Sequence, residues 1–224
     1  MKLSIIIPVL NEAQALPGLF EHLLPLARHG CEIIMVDGGS VDATPTLVAC
    51  AGFRLIQAAR GRASQMNAGA AIASGDALLF LHADTRLPDG ACGLVPRALA
   101  NPDKCWGRFD VCISGHSFML RVVACLINLR SRLTAIATGD QALFMTRAAF
   151  DRVGGFPDQP LMEDVELCTR LRRLSRPVCI TRRAVTSGRR WERHGVWRTI
   201  VLMWRLRWDY WRGVPTQLLA RRYQ

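Results

Sequence analysis

The sequence holds eight cysteines in 224 residues, yet no C-x-x-C pair. Cys31, Cys50, Cys92, Cys105, Cys112, Cys125, Cys168 and Cys179 stand at spacings that suit neither a zinc ribbon nor a disulfide scaffold. They read as small core hydrophobes in a reducing compartment. The G-x-G-x-x-G fingerprint is also missing, which argues against a nicotinamide- or flavin-binding domain. No stretch suits a membrane span. The best candidate, 111–129, contains Ser114, His116, Ser117, Arg121 and Asn128. It reads better as an amphipathic helix, with Phe118, Val122, Cys125, Leu126, Leu129 and Leu133 at helical spacing. The first apolar run ends at Asn11 and Glu12, too short for a signal peptide. Internal repeats, low-complexity linkers and recognised nucleic-acid modules are absent too, so no nucleic-acid partner is expected.

What is present is apolar and unevenly charged. Half the residues are hydrophobic, which excludes a disordered chain and allows a sizeable core. Residues 1–168 carry 14 basic and 16 acidic side chains, whereas 169–224 carry 15 and 2, a balance of −2 against +13. An anionic partner therefore belongs in or near the C-terminal quarter.

The first hundred residues alternate in type. Apolar runs at 3–9, 32–36, 53–57 and 77–81 read as buried strands, and the segments 12–28, 41–51 and 62–74 between them as helices, with Pro17 in a first turn and Pro25 at an end. This is the pattern of a parallel sheet covered on both faces, whose ligand site lies beyond the carboxyl ends of its strands. Four polar loops then share that edge: Pro8–Glu12, Val36–Thr44, Ala59–Ala70 and His82–Thr85. Further on the pattern loosens to strands at 106–113, 141–146 and 178–181, helices at 117–133 and 163–174, and a turn at Gly154–Asp158.

Several residues offer chemistry. Asp37 ends a strand before two glycines, where it either meets ribose or base or simply forms a turn capped by Ser40 or Asp42. Asp84, at a strand end, suits a hard cation held with a diphosphate, and His82 adds a nitrogen ligand or is a satisfied half-buried histidine. Glu163, Asp164 and Glu166 open a helix, as dipole complements or with one of them as general base. In 187–213, Trp197, Trp204, Trp208 and Trp211 share one helical face and Arg198, Arg205 and Arg212 another. That tryptophan face either packs on the domain or lies in a membrane interface.

Taken together, "SIIIPVLNEA", "VDGGSVDAT", "HADT", "GDQALFM", "GGFPD", "MEDVEL" and "GRRW", in this order from about residue 3 to residue 200, resemble a family 2 glycosyltransferase of GT-A type. The wording is similar to the bacterial subgroup described as radical-SAM/selenodomain-associated. The resemblance implies an α/β nucleotide-diphospho-sugar transferase fold, with a mostly parallel sheet flanked by helices and a basic helical C-terminal segment. It implies one domain over 1–224, with a nucleotide-binding half at 1–100, an acceptor and catalytic half at 101–190 and the basic aromatic segment at 191–224. Pro8, Asn11, Glu12, Asp37, Arg62 and Asn67 would bind the nucleotide-sugar. Asp84 and His82 would hold a divalent metal, Mn2+ or Mg2+, although His82 stands where the family usually has Asp. Asp164 would be the base with Glu163 beside it. Gln141, Arg190 and Trp191 would face the acceptor or the diphosphate. The implied reaction is inverting sugar transfer from a nucleotide-diphosphate donor to an unidentified acceptor, in the cytoplasm or peripherally at the inner face of the membrane. Two other classes compete. A nucleotidyltransferase would show a Gly-rich start with a catalytic Arg or Lys, which "PVLNEAQAL" lacks. A decayed domain binding an anionic membrane surface or another polyanion is motivated by His82 and the basic tail.

Overall fold

The computed structural model describes residues 1–223; Gln224, the last residue of the basic segment, lies outside it. The strands β1 (Leu3–Val9), β2 (Glu32–Asp37), β3 (Arg54–Gln57) and β4 (Ala77–Phe80) pair in parallel in the order β3-β2-β1-β4. Their side chains alternate between two cores. Ile5, Ile7, Ile33, Met35 and Leu79 enter one, under α1 (Leu16–Arg28), α2 (Thr44–Cys50) and α4 (Ala91–Leu99). Ile6, Ile34, Val36, Leu78 and Phe80 enter the other, under α3 (Arg62–Ile72), α6 (Arg147–Arg152) and α7 (Glu163–Leu171). Strands covered on both faces need apolar residues at every position, hence their unbroken apolar runs.

Beyond β4 the sheet reverses. β7 (Phe144–Thr146) runs antiparallel to β4, and β6 (Trp106–Ser114) antiparallel to β7. β8 (Val178–Ser187) is parallel to β6, and the two-residue β5 (Thr85–Arg86) pairs antiparallel with β8 at the far edge of the eight strands. α5 (Phe118–Thr134) lies on β6, where the Asn128 side chain accepts from the Val111 N–H at 2.8 Å and donates to the Val111 carbonyl at 3.0 Å. Three helices, α8 (Arg189–His194), α9 (Val196–Trp211) and α10 (Thr216–Tyr223), complete the described chain.

The structure moves several expected boundaries. α1 starts at Leu16, with a turn in place of its first residues, and Pro25 sits inside it instead of ending it. The strand expected at 141–146 keeps only its last three residues, because Gly139–Gln141 forms a 3₁₀ turn closed by reciprocal Thr138 and Gln141 capping. β8 runs six residues past the expected 181. Exposed Thr181, Arg182 and Arg183 interrupt its apolar pattern, while pairing with β6 keeps its backbone satisfied. The reading of all eight cysteines as reduced core residues is corrected as well. Cys31 and Cys92 are joined by a disulfide across 61 positions of sequence, with Cα atoms 6.4 Å apart, because α1 and α4 share one core. Cys50 and Cys125 are exposed, whereas Cys168 is a buried free thiol.

α3 approaches the sheet closely at Gly69, where an added Cβ would lie 2.5 Å from Cγ2 of Ile6 and 2.9 Å from Cγ2 of Val36. Gly69→Ala improves helix propensity by roughly 1 kcal/mol, but overpacking a filled core typically costs about 1–3 kcal/mol. The expected outcome is a net loss of stability, read as a lower midpoint in urea; a midpoint above wild type would refute the close approach.

Candidate active site

The carboxyl ends of β1 and β2 are joined by their own loops. The Asn11 N–H donates to Oγ of Ser40 at 2.9 Å, and Oδ1 of Asn11 accepts from the Val41 N–H at 2.9 Å. The Glu12 N–H donates to Oγ1 of Thr44 at 2.8 Å, and Oδ2 of Asp42 accepts from the Ala13 N–H at 3.1 Å. Asn11 takes a left-handed backbone, φ 53°, which Asn tolerates better than most residues. Behind the loops, buried Gln65 of α3 donates to the carbonyls of Val9 and Val36, at 2.9 and 2.7 Å. This side chain, absent from the sequence reading, holds the two strand ends together.

The "HADT" loop leaves β4 and is drawn to the far edge of the sheet. Thr85 pairs with Thr186 through both backbone and hydroxyl, the latter at 3.0 Å, and the Ser187 N–H donates to the Asp84 carbonyl at 3.2 Å. Asp84 therefore sits beside the segment that starts α8. Glu12 faces the same region. Burial pushes its carboxyl pKa up, against the pull of Arg189 and Arg62 and with the help of Asp84 and Asp42. Glu12, Asp84, Arg62 and Arg189 thus lie close enough to act on one another's charge, and Arg189 is a member that the motif reading missed.

The acidic helix supplies the other wall. Met162, left-handed at φ 65°, turns the chain into α7. Glu163 is buried, and its pKa is raised by that burial and by the Asp164 charge, against Arg62. Asp164 accepts from the Gly139 N–H at 2.9 Å and the Val165 N–H at 2.7 Å, yet burial still pushes its pKa up. Arg62 keeps an exposed face but stands among charges. Burial opposes its charge, and Tyr223, Glu163, Asp140 and Asp164 outweigh that and raise its pKa. A carboxyl group with a raised pKa next to a cation is suited to accept a proton.

Other expected site residues take different roles. Nδ1 of His82 lies 3.2 Å from Oδ1 of Asp140, and the ring packs against the Gly139 backbone, so His82 is engaged by protein instead of being open to a metal. Asp140 is held below the usual carboxylate range: burial opposes its charge, but His82 and Arg62 outweigh it. Asp37 is buried and accepts from the N–H groups of Gly39 and Ser40 and from the Ser40 hydroxyl, which is the turn alternative. Asn67 spends its amide on Phe156, donating to the carbonyl at 2.8 Å and accepting from the N–H at 2.9 Å. Gln141 is fully buried and donates to Ser131 at 3.1 Å. Trp191 packs beside Leu120 and Val123. Arg190 stacks over the Tyr223 ring, 3.7 Å from its centroid, and donates to the Tyr223 carbonyl. Asn67, Gln141, Trp191 and Arg190 thus each have their polar or apolar demand met by a neighbouring element. Pro8 remains half-buried in β1.

Among the described residues no group of three His, Cys, Asp or Glu side chains converges as a metal site. One carboxylate with substrate phosphates is nonetheless a common way to hold Mg2+, and Asp84 at the cleft fits that limited role.

Comparisons with known proteins bear on the family and the fold. The model of the family described as Glycosyl transferase family 2 matches residues 4–151. A PGL/p-HBAD biosynthesis glycosyltransferase of Mycobacterium bovis (strain BCG / Pasteur 1173P2) is 41% identical over 98 residues, covering 38% of this chain and 36% of that protein. The undecaprenyl-phosphate 4-deoxy-4-formamido-L-arabinose transferase of Pseudomonas fluorescens (strain Pf0-1) is 32% identical over 154 residues, covering 61% of this chain and 44% of that protein. The chain therefore spans less than half the length of these curated relatives. The mannosyltransferase PcManGT from Pyrobaculum calidifontis, solved with GDP-Man and Mn2+, shares the fold with a TM-score of 0.62 at 22% identity, over 82% of this chain and 56% of that one. The GT-A architecture expected from the motifs is the one observed.

Two predictions follow from the cleft. A raised carboxyl pKa favours folding at low pH, where the group is neutral in both states, and that contribution is lost as pH rises through the folded value. Glu163→Gln should therefore melt above wild type at neutral pH, with the difference shrinking as pH falls towards the ordinary glutamate value of 4.5 and gone below it. A pH-independent difference would contradict the assigned direction. A Cβ on Gly139 would lie 2.2 Å from Nε2 of His82. Gly139→Ala should displace His82 from Asp140, visible as a moved imidazole resonance in NMR; an unmoved resonance would place the ring elsewhere.

Proposed function

Because this chain belongs to glycosyl transferase family 2, we propose that it moves a sugar from a nucleoside-diphosphate donor to an acceptor hydroxyl or phosphate, with inversion at the anomeric carbon. The observation that carries this reading is the placement of Asp164, which accepts from the Gly139 N–H beside His82 of the loop that holds Asp84 and lies within reach of the Arg62 charge. The carboxylate pair lies beyond the matched segment 4–151, so its assignment rests on geometry. The proposed unit is the whole of 1–224, with the donor in the first hundred residues and the acceptor on the side of α5 and α7.

In this reading an acceptor oxygen attacks the anomeric carbon, the bond from that carbon to the diphosphate oxygen breaks, and the acceptor proton, where there is one, passes to Asp164. The elevated pKa brings the base closer to the working pH, where general-base catalysis is most effective. Glu163 lies beside Asp164 and within reach of the Arg62 charge. Arg189 and Arg62 face the charge that grows on the leaving diphosphate, the form of stabilisation that usually contributes most. A divalent cation held by Asp84 and the diphosphate oxygens would neutralise further charge there. Asp37 acts from behind, fixing Ser40 and so the Asn11 loop. The neighbour solved with GDP-Man and Mn2+ supports a nucleotide-sugar with a divalent metal. The relative named for undecaprenyl phosphate supports a lipid phosphate among the acceptor candidates. No described helix is long and apolar enough to cross a membrane; the proposed location is the cytoplasm, with peripheral contact at the inner face.

The test is slow donor hydrolysis by the purified chain, with a panel of nucleotide-sugars and Mn2+. Nucleoside diphosphate should be released, and chelation by EDTA should reduce the rate; pyrophosphate release would point to nucleotidyl transfer instead. Asp164→Asn should lower the rate by ~10²–10⁴ while calorimetric donor binding stays near wild type. Wild-type turnover in that variant would remove Asp164 as the base.

A further inference from the structure

Helix α9 has two faces of opposite character. Leu206 is buried and joins Met162 and Leu219 in a small core that also takes Val165 of α7. On the other face Trp197, Val201, Trp204, Trp208 and Trp211 follow at intervals of four, three, four and three, a spacing that keeps them in one stripe. Its tryptophans are 57–76% exposed. The expectation that such a stripe closes a core is not met. α5 adjoins this helix, since Val123 and Ile127 share a cluster with Val196 and Ile200. It too leaves Phe118, Leu126, Leu129 and Leu133 exposed, at 51–71%. Two neighbouring helices with uncovered apolar faces make an interaction surface.

Charge selects the partner. A groove of about 580 Å³ runs beside the stripe between α9 and α10, where Trp197 and Val201 meet Arg198, Arg205, Arg222 and Asp209. Asp209 is paired with Arg222 at 2.7 Å, and among the described residues Arg198 and Arg205 have no carboxylate partner. Exposed Arg212 continues the same flank. Indoles on one face with guanidinium groups along its border match the interfacial zone of a bilayer, where the rings sit at headgroup depth and arginines reach the phosphates. The +13 balance of residues 169–224 gives the surface the sign that anionic lipid requires.

We propose that the exposed faces of α9 and α5 dock the protein on an anionic lipid bilayer, with the α9–α10 groove taking lipid phosphate. The docking itself stands apart from the transferase reading; only its purpose rests on it. The buried face of α9 covers Met162 and Val165 on either side of Glu163 and Asp164, so the bilayer would lie about one helix diameter, ~10 Å, from the proposed base. An acceptor headgroup carried in that bilayer would need no long excursion to reach the cleft.

The experiment is sedimentation of the full chain with vesicles of phosphatidylcholine alone and of phosphatidylcholine with an equal amount of phosphatidylglycerol, together with tryptophan emission. Binding only to the phosphatidylglycerol vesicles, weakened by salt and accompanied by a blue shift, is the expected result. At roughly fivefold per basic residue, the triple change Arg198→Gln, Arg205→Gln and Arg212→Gln should lower affinity by about two orders of magnitude. The double change Trp204→Ser and Trp208→Ser should remove the blue shift, and because both side chains are exposed the variant should melt like wild type. Three outcomes would overturn the proposal: no sedimentation with phosphatidylglycerol vesicles at low salt, binding that ignores the arginine changes, or a dimer in solution that the tryptophan changes dissociate. Donor hydrolysis measured on the same preparations separates the two readings, since a wild-type chain that hydrolyses donor yet never sediments with the phosphatidylglycerol vesicles sinks the docking alone.

Discussion

Strand β1 is paired on both sides, by β2 and β4, and nearly all its residues are buried, and the site depends on that confinement. A strand with no free edge and no free face has its backbone groups paired and its apolar side chains covered. Only its ends are left for chemistry. The parallel pairing sends the carboxyl ends of β1, β2 and β4 to one edge, and Gln65 keeps the first two together there by donating to the carbonyls of Val9 and Val36. The loops beyond then bond to each other, so this edge of the sheet is held by the chain's own contacts.

The cleft balances charge locally. Arg62 stands near three carboxylates, Glu163, Asp140 and Asp164, two of which are pushed towards the neutral form by burial, while Asp140 is held ionised by His82 and Arg62. The substitution of histidine into the "HADT" loop gains meaning here. His82 gives Asp140 a partner and leaves Asp84 as the loop's carboxylate at the cleft. Unlike environments thus push the carboxylates in opposite directions, Glu163 and Asp164 up and Asp140 down.

α9 links this chemistry to the outside. One side packs over the entrance to α7 and the other presents tryptophans to solvent. A helix that was apolar all round would be buried, and one that was polar outside would be an ordinary surface helix. This one is neither, and its arginines lie between the two faces, where a bilayer's phosphates would be.

The chain's apolar periodicity was enough to reveal the first four strands, three of their covering helices and the parallel arrangement, because a strand buried on both faces leaves an unbroken apolar run that few other elements produce. Asp84 and the acidic start of α7 stood out in the sequence as carboxylates at an element's end, whereas Glu12 and the choice of Asp164 came with the motif resemblance. The remainder was set by contacts between distant segments. The long extension of β8, polar on its exposed side, takes its form from pairing with β6, and it alone brings Arg189 towards Asp84 and Glu12. Gln141, Asn67 and Trp191 carry motif identities, yet bonds to Ser131, to the Phe156 backbone and to the α5 core turn them inward. The disulfide between Cys31 and Cys92 depends on two helices sharing a core. The tryptophan spacing showed that the side chains share a face, but only the packing of Leu206 against Met162 decided that this face points outward. Periodicity reports which residues travel together along an element, whereas the direction they face is fixed by what the element's other side finds to bury.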